Sequence, residues 1–298
     1  MIDPNAAALR DRLRWRLIAA ATTPGSAAGE IDPALVGTYL RGLVADGADA
    51  LAVLAHTGRG PYLDPATRGE IIRQAVDTGV PVVVGVGGRP GETQAAVADQ
   101  AVQAAELEAA GLLVFPVEDD AVAHHEALWR ASGLPMLAFD LYLRPYPADA
   151  LAALLAHPGV AGVKVARLND AIACQEALAA AYRADRLAVT GEDRMFGPSL
   201  LWGAQAALVG LAAAAVPVTA AVLRAFADKQ YDEFVVASAQ LDRLASATFT
   251  DPMEGYVQRM LWIATHEGRI PPRYAVDPYG PALPAEDRER VLRMVRSR

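Results

Sequence analysis

Lysine is nearly missing from this chain. Of its 27 basic residues, 25 are arginine, and only Lys164 and Lys229 are lysine. Cysteine is rarer still: Cys174 stands alone, which excludes a disulfide framework and a multi-cysteine zinc module and fits a reducing cytoplasm. Positive charge is in deficit, with 35 acidic residues giving a net charge of −8, so nucleic acid and anionic membrane are poor partners. No apolar run is long and clean enough to span a membrane. The longest, from Ala206 to Leu223, is alanine-rich and is interrupted by Gly210 and Pro217. The N-terminal arginines precede only a short apolar stretch, Leu17 to Ala21, so the start reads as a surface helix leading into a buried strand rather than as a secretory signal. These absences point to a cytoplasmic protein.

What is present is a long, apolar chain: 298 residues, 53% hydrophobic, enough to bury a large core. Eight continuous apolar runs read as strands: Ile18–Thr23, Ala50–His56, Pro81–Val86, Gly111–Pro116, Pro135–Leu141, Ala161–Ala166, Leu187–Gly191 and Ala207–Ala212. Runs that do not alternate with polar residues are covered on both faces, as in parallel sheets. Helical patterns fill the gaps, and eight strand–helix units close most simply into a (β/α)8 barrel over residues 1–228. A doubly wound open sheet is the competing fold, but no G-x-G-x-x-G turn follows the first strand. Three further helical patterns, Tyr231–Ser246, Pro252–His266 and Ala285–Arg296, make residues 229–298 a helical extension packed on the barrel.

Barrel chemistry gathers at the C-terminal ends of the strands. One of the two lysines, Lys164, falls inside the sixth predicted strand, where a cation is costly without a partner. An amine kept neutral by burial can attack a carbonyl and form an imine, whereas arginine does not lose its proton. The competing reading is a strand-end lysine neutralised by Glu192 or Asp193. His56, at the end of the second strand, is a candidate acid–base group, because its ordinary pKa lies near neutrality. Adjacent His124 and His125 on a helix face different directions and do not form a metal pair, and Cys174 reads as packing.

The order and spacing of the strand-end motifs resemble the dihydrodipicolinate synthase / N-acetylneuraminate lyase family of pyruvate-type Schiff-base aldolases. The resemblance runs through Thr23-Pro24, His56-Thr57-Gly58, Pro81 to Gly87, Leu134-Pro135 with Phe139, Gly162-Val163-Lys164, Gly191-Glu192-Asp193 and Gly203 to Ala212. It implies a cofactor-free, metal-free enzyme, dimeric or tetrameric, acting on a 2-oxo acid such as pyruvate or a keto sugar acid. It makes Lys164 the imine-forming residue and Thr57 a carboxylate-binding one. Arg144 is placed where the synthases bind a second carboxylate, and Phe139, Gly191 and Leu208 beside the substrate.

The departures are as specific. His56 replaces a threonine and Arg59 a glutamate in the carboxylate-binding loop. Phe139 and Val117/Glu118 stand where the family carries its two proton-relaying tyrosines, and a phenyl ring carries no proton. Candidate substitutes are His56, Glu118, Asp140 and Tyr142, the last only if the fifth strand is shifted or bulged. Two further readings follow from the losses: a catalytically impaired paralogue that binds an oxo acid or acts as a regulatory or structural protein, and a hydrolytic barrel using His56 and carboxylates.

Overall fold

The computed structural model describes residues 1–168 and 170–296, so the last two residues of the expected extension lie outside it. Eight parallel strands close in sequence order into a barrel: β1 (Leu17–Ala20), β2 (Ala50–Val53), β3 (Val82–Val86), β4 (Gly111–Val114), β5 (Met136–Leu141), β6 (Val160–Ala166), β7 (Leu187–Thr190) and β8 (Ala206–Val209). Every strand residue is buried, as the unbroken apolar runs require.

Helices cover the outside. They are α1 (Pro4–Leu13), α2 (Pro33–Ala45), α3 (Pro65–Val76), α4 (Gln94–Glu106), α5 (Ala121–Ser132), α6 (Ala148–Ala156), α7 (Ala171–Arg183), α8 (Phe196–Leu201) and α9 (Val216–Ala227). Beyond them run α10 (Tyr231–Thr248), α11 (Tyr256–His266) and α12 (Ala285–Arg296). Three of these helices start on the same device. Asp3, Asp32 and Asp64 each accept two backbone N–H bonds at the N-cap, and the proline that follows opens the first turn, where its missing N–H costs nothing. None of the described helices is long and apolar enough to cross a membrane.

The first helix does more than ride the surface. Ala6, Leu9 and Leu13 of α1 are buried in the same cluster as the barrel-interior residues Ile18, Leu113, Leu137 and Leu187, so α1 closes the N-terminal end of the barrel. The eighth strand is shorter than its apolar run suggests, because the chain turns at Gly210 into a 3-10 helix, Gly210–Ala213. The β5–β6 ladder carries an irregularity. Met136 pairs with Val160 but Leu137 with Gly162, so Ala161 is an extra residue in β6.

Candidate active site

The register decides where Lys164 points. Phe139 pairs with Lys164, and Lys164 with Val189, so the three share one face of neighbouring strands. Phe139 and Val189 belong to the barrel-interior cluster, and Lys164 therefore projects inward. Its amine lies 4.2 Å from the centroid of the Phe139 ring. Beside it Gly191 leaves a necessary gap, since a Cβ there would stand 2.7 Å from Lys164 Cε and 2.8 Å from the Val165 carbonyl oxygen.

Lys164 is only 5% exposed, and no described residue forms a hydrogen bond or close ion pair with its amine. Burial pushes its pKa below the ordinary lysine value, against the opposing pull of Asp193 and Glu192. Those two carboxyls are raised in turn by their own burial. Asp193 accepts from the Leu211 N–H at 2.7 Å. Glu192 accepts at one oxygen from the backbone of Arg167 and Leu168, and its other oxygen is buried without a partner. The competing reading of Lys164, a strand-end lysine neutralised by a salt bridge, needs a carboxylate within ion-pair distance, and neither acid reaches it.

His56 and Thr57 follow β2, on the wall opposite the strand of Lys164, because β2 and β6 are diametrically opposed in a closed eight-stranded barrel. The turn that carries them is fixed from behind by Arg68, which is buried and donates to the carbonyls of Gly60 (2.9 Å) and Gly85 (2.8 Å).

Over this wall lies a strap that sequence reasoning treated only as part of a helical extension. Residues 248–256 run from the end of α10 through a 3-10 helix, Met253–Gly255, into α11. Glu254 meets His56 Nε2 at 3.1 Å, accepts from Arg59 at 2.9 Å and accepts the Tyr142 hydroxyl. Burial works against ionising it, but the bonds from His56, Tyr142 and Arg59 hold its carboxyl well below the usual carboxylate range. Tyr256, two residues on, shares a 3.0 Å hydrogen bond with Thr57 Oγ1, and burial raises its phenol. Its ring fits over the end of β8 because position 210 is glycine: a Cβ there would lie 3.1 Å from Tyr256 Cε2 and 2.9 Å from Phe249 Cζ.

Two buried arginines shape the strap. Arg59 joins Glu254 to Asp277. Arg259, 1% exposed, donates to the carbonyls of Thr248, Thr250, Asp251 and Pro252 and to Asp287 of α12.

The remaining sequence candidates are placed as follows. Leu208 is buried in the barrel interior beside β1. Tyr142 reaches the mouth and its ring centre lies 6.1 Å from that of His56. Asp140, next to inward-facing Phe139, points out of the barrel and is taken by Arg167 and the Tyr146 N–H. Arg144 and Glu118 bind each other at 2.6 Å, both well exposed. They line a cavity of about 840 Å³ with His56, Arg89, Phe115 and His124, which opens beside the site and does not include Lys164. His124 and His125 bond to Gln94 and to the Ala121 carbonyl respectively, and Cys174 is buried in α7. Among the described residues no group of three or more His, Cys, Asp or Glu is arranged to hold a metal ion.

Tyr256 and Glu254 are the residues the sequence did not disclose. Their only local signal is a pair of polar side chains around Gly255 at the start of a helix that otherwise reads as appendage.

The arrangement sets an inward amine on one wall and a hydroxyl-bearing turn on the wall opposite. A family model described as the dihydrodipicolinate synthetase family matches residues 14–296. A 4-hydroxy-tetrahydrodipicolinate synthase of Synechococcus sp. (strain WH7803) is 37% identical over 136 residues, 42% of this chain and 44% of that protein. The chain thus spans less than half the length of that curated relative. Among solved structures, an N-acetylneuraminate lyase from Fusobacterium nucleatum superposes with a TM-score of 0.82 at 15% identity, covering 96% of this chain and 99% of that one. A prophage protein of the dihydrodipicolinic acid synthase family from E. coli K12, solved with pyruvate, gives 0.83 at 18% identity, covering 95% and 97%. Both likenesses show a shared fold.

Proposed function

The chain belongs to the dihydrodipicolinate synthetase family, and on that premise we propose that it is a Schiff-base-forming lyase or aldolase, or a dehydratase, acting on a 2-oxo acid such as pyruvate or a keto sugar acid. One observation carries the proposal. Lys164 is a buried, inward-facing amine whose charge is opposed by desolvation and met by no hydrogen-bonded anion. A neutral amine in that position adds to the C2 carbonyl of the acid, and the resulting imine draws electrons from the adjacent C–C or C–O bond as it breaks. The Thr57 hydroxyl binds the carboxylate, with His56 near it. Gly191 and Phe139 shape the space around the imine, with Leu208 in the wall below. Arg144 serves a distal group of a longer substrate from the rim of the side cavity. The roles require no metal or organic cofactor.

Dihydrodipicolinate synthesis itself is not the reaction proposed, because Phe139 and Val117/Glu118 stand at the positions of the family's two relay tyrosines. The proposed assembly is a homodimer or homotetramer in the cytoplasm. The test is borohydride reduction of the protein with pyruvate and other 2-oxo acids, followed by peptide mass spectrometry. The expected result is a reduced adduct on Lys164 and none on the exposed Lys229. Failure to find it with any 2-oxo acid removes the enzyme reading.

A second reading has its own support: the cavity beside His56 stops short of Lys164, and the family's relay positions hold Phe139 and Val117/Glu118. It makes the chain a binding or regulatory paralogue. An adduct on Lys164 without turnover of any 2-oxo acid favours it.

A further inference from the structure

We propose that His56, Arg59 and Tyr142 form a carboxylate-binding cradle that the chain fills with its own Glu254, and that a small carboxylic acid enters by taking the place of Glu254. The inference rests on the ligand being a small carboxylic acid, and not on an imine at Lys164.

Three donors converge on this one carboxylate. His56 Nε2 stands 3.1 Å and Arg59 Nη1 2.9 Å from Oε2, and the Tyr142 hydroxyl donates to Oε1. His56 and Arg59 come from the turn after β2 and Tyr142 directly follows β5, so the barrel supplies the donors and the strap supplies the acceptor. A guanidinium joined by an imidazole N–H and a hydroxyl is a receptor for any carboxylate, since all three donate and charge strengthens the bonds. His56 also lines the cavity of about 840 Å³ beside the site, so a ligand in that cavity meets the cradle at this residue.

Glu254 differs from an ordinary structural ion-pair partner. Arg59 is already matched by Asp277, which accepts from Nε at 3.2 Å and from Nη2 at 2.8 Å. A second acid on the same guanidinium is one more than its charge requires. The two acids also differ in access: the Asp277 side chain is 1% exposed and that of Glu254 is 35% exposed. The backbone of the strap has ties of its own. Arg59 Nη2 donates to the Glu254 carbonyl oxygen at 3.0 Å, and Arg259 holds the carbonyls of Thr250, Asp251 and Pro252. The Glu254 side chain can therefore turn out to solvent about its own bonds while its backbone stays in place. One carboxylate then replaces another on the same donors. The apparent affinity for the ligand is lowered by the fraction of molecules in which Glu254 holds the cradle.

The test titrates the full-length protein with L-lactate in a calorimeter. Lactate has the carboxylate of pyruvate without its carbonyl and forms no imine, so the outcome is independent of Lys164. Glu254→Gln keeps the length of the side chain and removes its charge. The expected result is a lactate dissociation constant about tenfold lower than in the parent, with no such gain for lactamide, the neutral amide. Tyr142→Phe placed in the Glu254→Gln protein gives back about as much, because the hydroxyl now serves the ligand. Asp119→Asn takes the same charge from the exposed rim of the same cavity and leaves lactate within about twofold of the parent. Lactate binding that is unchanged or weaker in Glu254→Gln overturns the proposal. An equal gain in Asp119→Asn does so too, because it marks a field effect rather than a shared seat. Should Glu254→Gln fail to fold, a structure of the unsubstituted protein saturated with lactate decides. The expected carboxylate lies within hydrogen-bond distance of His56 Nε2 and Arg59 Nη1, with Glu254 turned to solvent, and lactate seated elsewhere with Glu254 still on His56 overturns the cradle.

Discussion

The two walls of the barrel mouth are built by different means. On the β6–β7 side Lys164, Gly191 and Asp193 are placed by the barrel itself, through strand register and backbone hydrogen bonds. On the β2 side the groups that cover His56 and Thr57 arrive from residues 248–256, and two buried arginines fix them there. A wall made of register tolerates the loss of a side chain. A wall made of buried charge does not, because each removal strands an ion in a medium of low dielectric. The strand wall should therefore fail in function first, and the strap wall in stability first.

The sharpest separation comes from Lys164→Met. It leaves the barrel ladder intact, so the adduct with 2-oxo acids should vanish and turnover fall by about 10³-fold or more. Stability to urea should be kept or raised, since a buried amine is replaced by an apolar side chain of similar length. A variant that still forms the adduct would place the nucleophile elsewhere, and one that unfolds would show that the β6 wall depends on this charge.

Arg59→Ala attacks the opposite wall. It strands the Asp277 carboxylate, whose side chain is 1% exposed, and releases Glu254. The expected cost is about 3–5 kcal/mol in urea unfolding, typical of a broken buried pair. Adduct formation on Lys164 in the remaining folded protein should survive. A loss below about 1 kcal/mol would mean that the strap is held by packing alone, as exposed pairs would allow.

This division explains what could be read from the sequence. The strands, the barrel and the place of Lys164 on the sixth strand follow from local rules, since continuous apolar runs, Asp-Pro caps and strand-end glycines each act within a few residues of themselves, whereas the inward direction of Lys164 is set by the register with β5 and β7. Gly191 fits the same description, because the gap it leaves is for a side chain on the neighbouring strand. Tyr256 and Glu254 obey no such rule. Their partners Thr57, His56 and Arg59 lie about two hundred residues earlier, and the contact depends on a strap whose carbonyls are gathered by the buried Arg259. Tyr142 is intermediate. The sequence admits its approach to the mouth only with a shifted or bulged fifth strand, whereas the extra residue of the β5–β6 ladder is Ala161 of β6.

The walls should also titrate in opposite senses. Glu192 has a folded pKa raised to about 8 by burial, from an ordinary value of 4.5. Its contribution is fully present below the ordinary value and is lost as pH rises toward about 8, so Glu192→Gln should gain on the parent across that window by on the order of 1 kcal/mol per pH unit. Glu254 is depressed, so its contribution is present above the ordinary value of 4.5 and is lost as pH falls. Glu254→Gln should therefore show a flat deficit at neutral pH that shrinks under acid conditions. Urea midpoints of the two variants against the parent from about pH 2 to pH 8 check both slopes. Parallel curves would dissolve the distinction between the walls.

The smallest effect should come from Arg144, which belongs to neither wall. Its 2.6 Å bond to Glu118 joins two side chains that are 46% and 77% exposed, so Arg144→Ala should change stability by no more than about 1 kcal/mol. Pyruvate has no group that extends past Phe115 into the side cavity, and trapping of pyruvate on Lys164 should be unchanged. A 2-oxo acid with an acidic or hydroxylated tail is another matter. Its distal group competes with Glu118 for the guanidinium, and the variant should weaken its half-saturating concentration by roughly tenfold, the worth of one charge-assisted contact. If long and short acids respond alike, the cavity beside His56 is not part of the substrate's path, and the mouth enclosed by β2, β6 and the strap is the whole of the site.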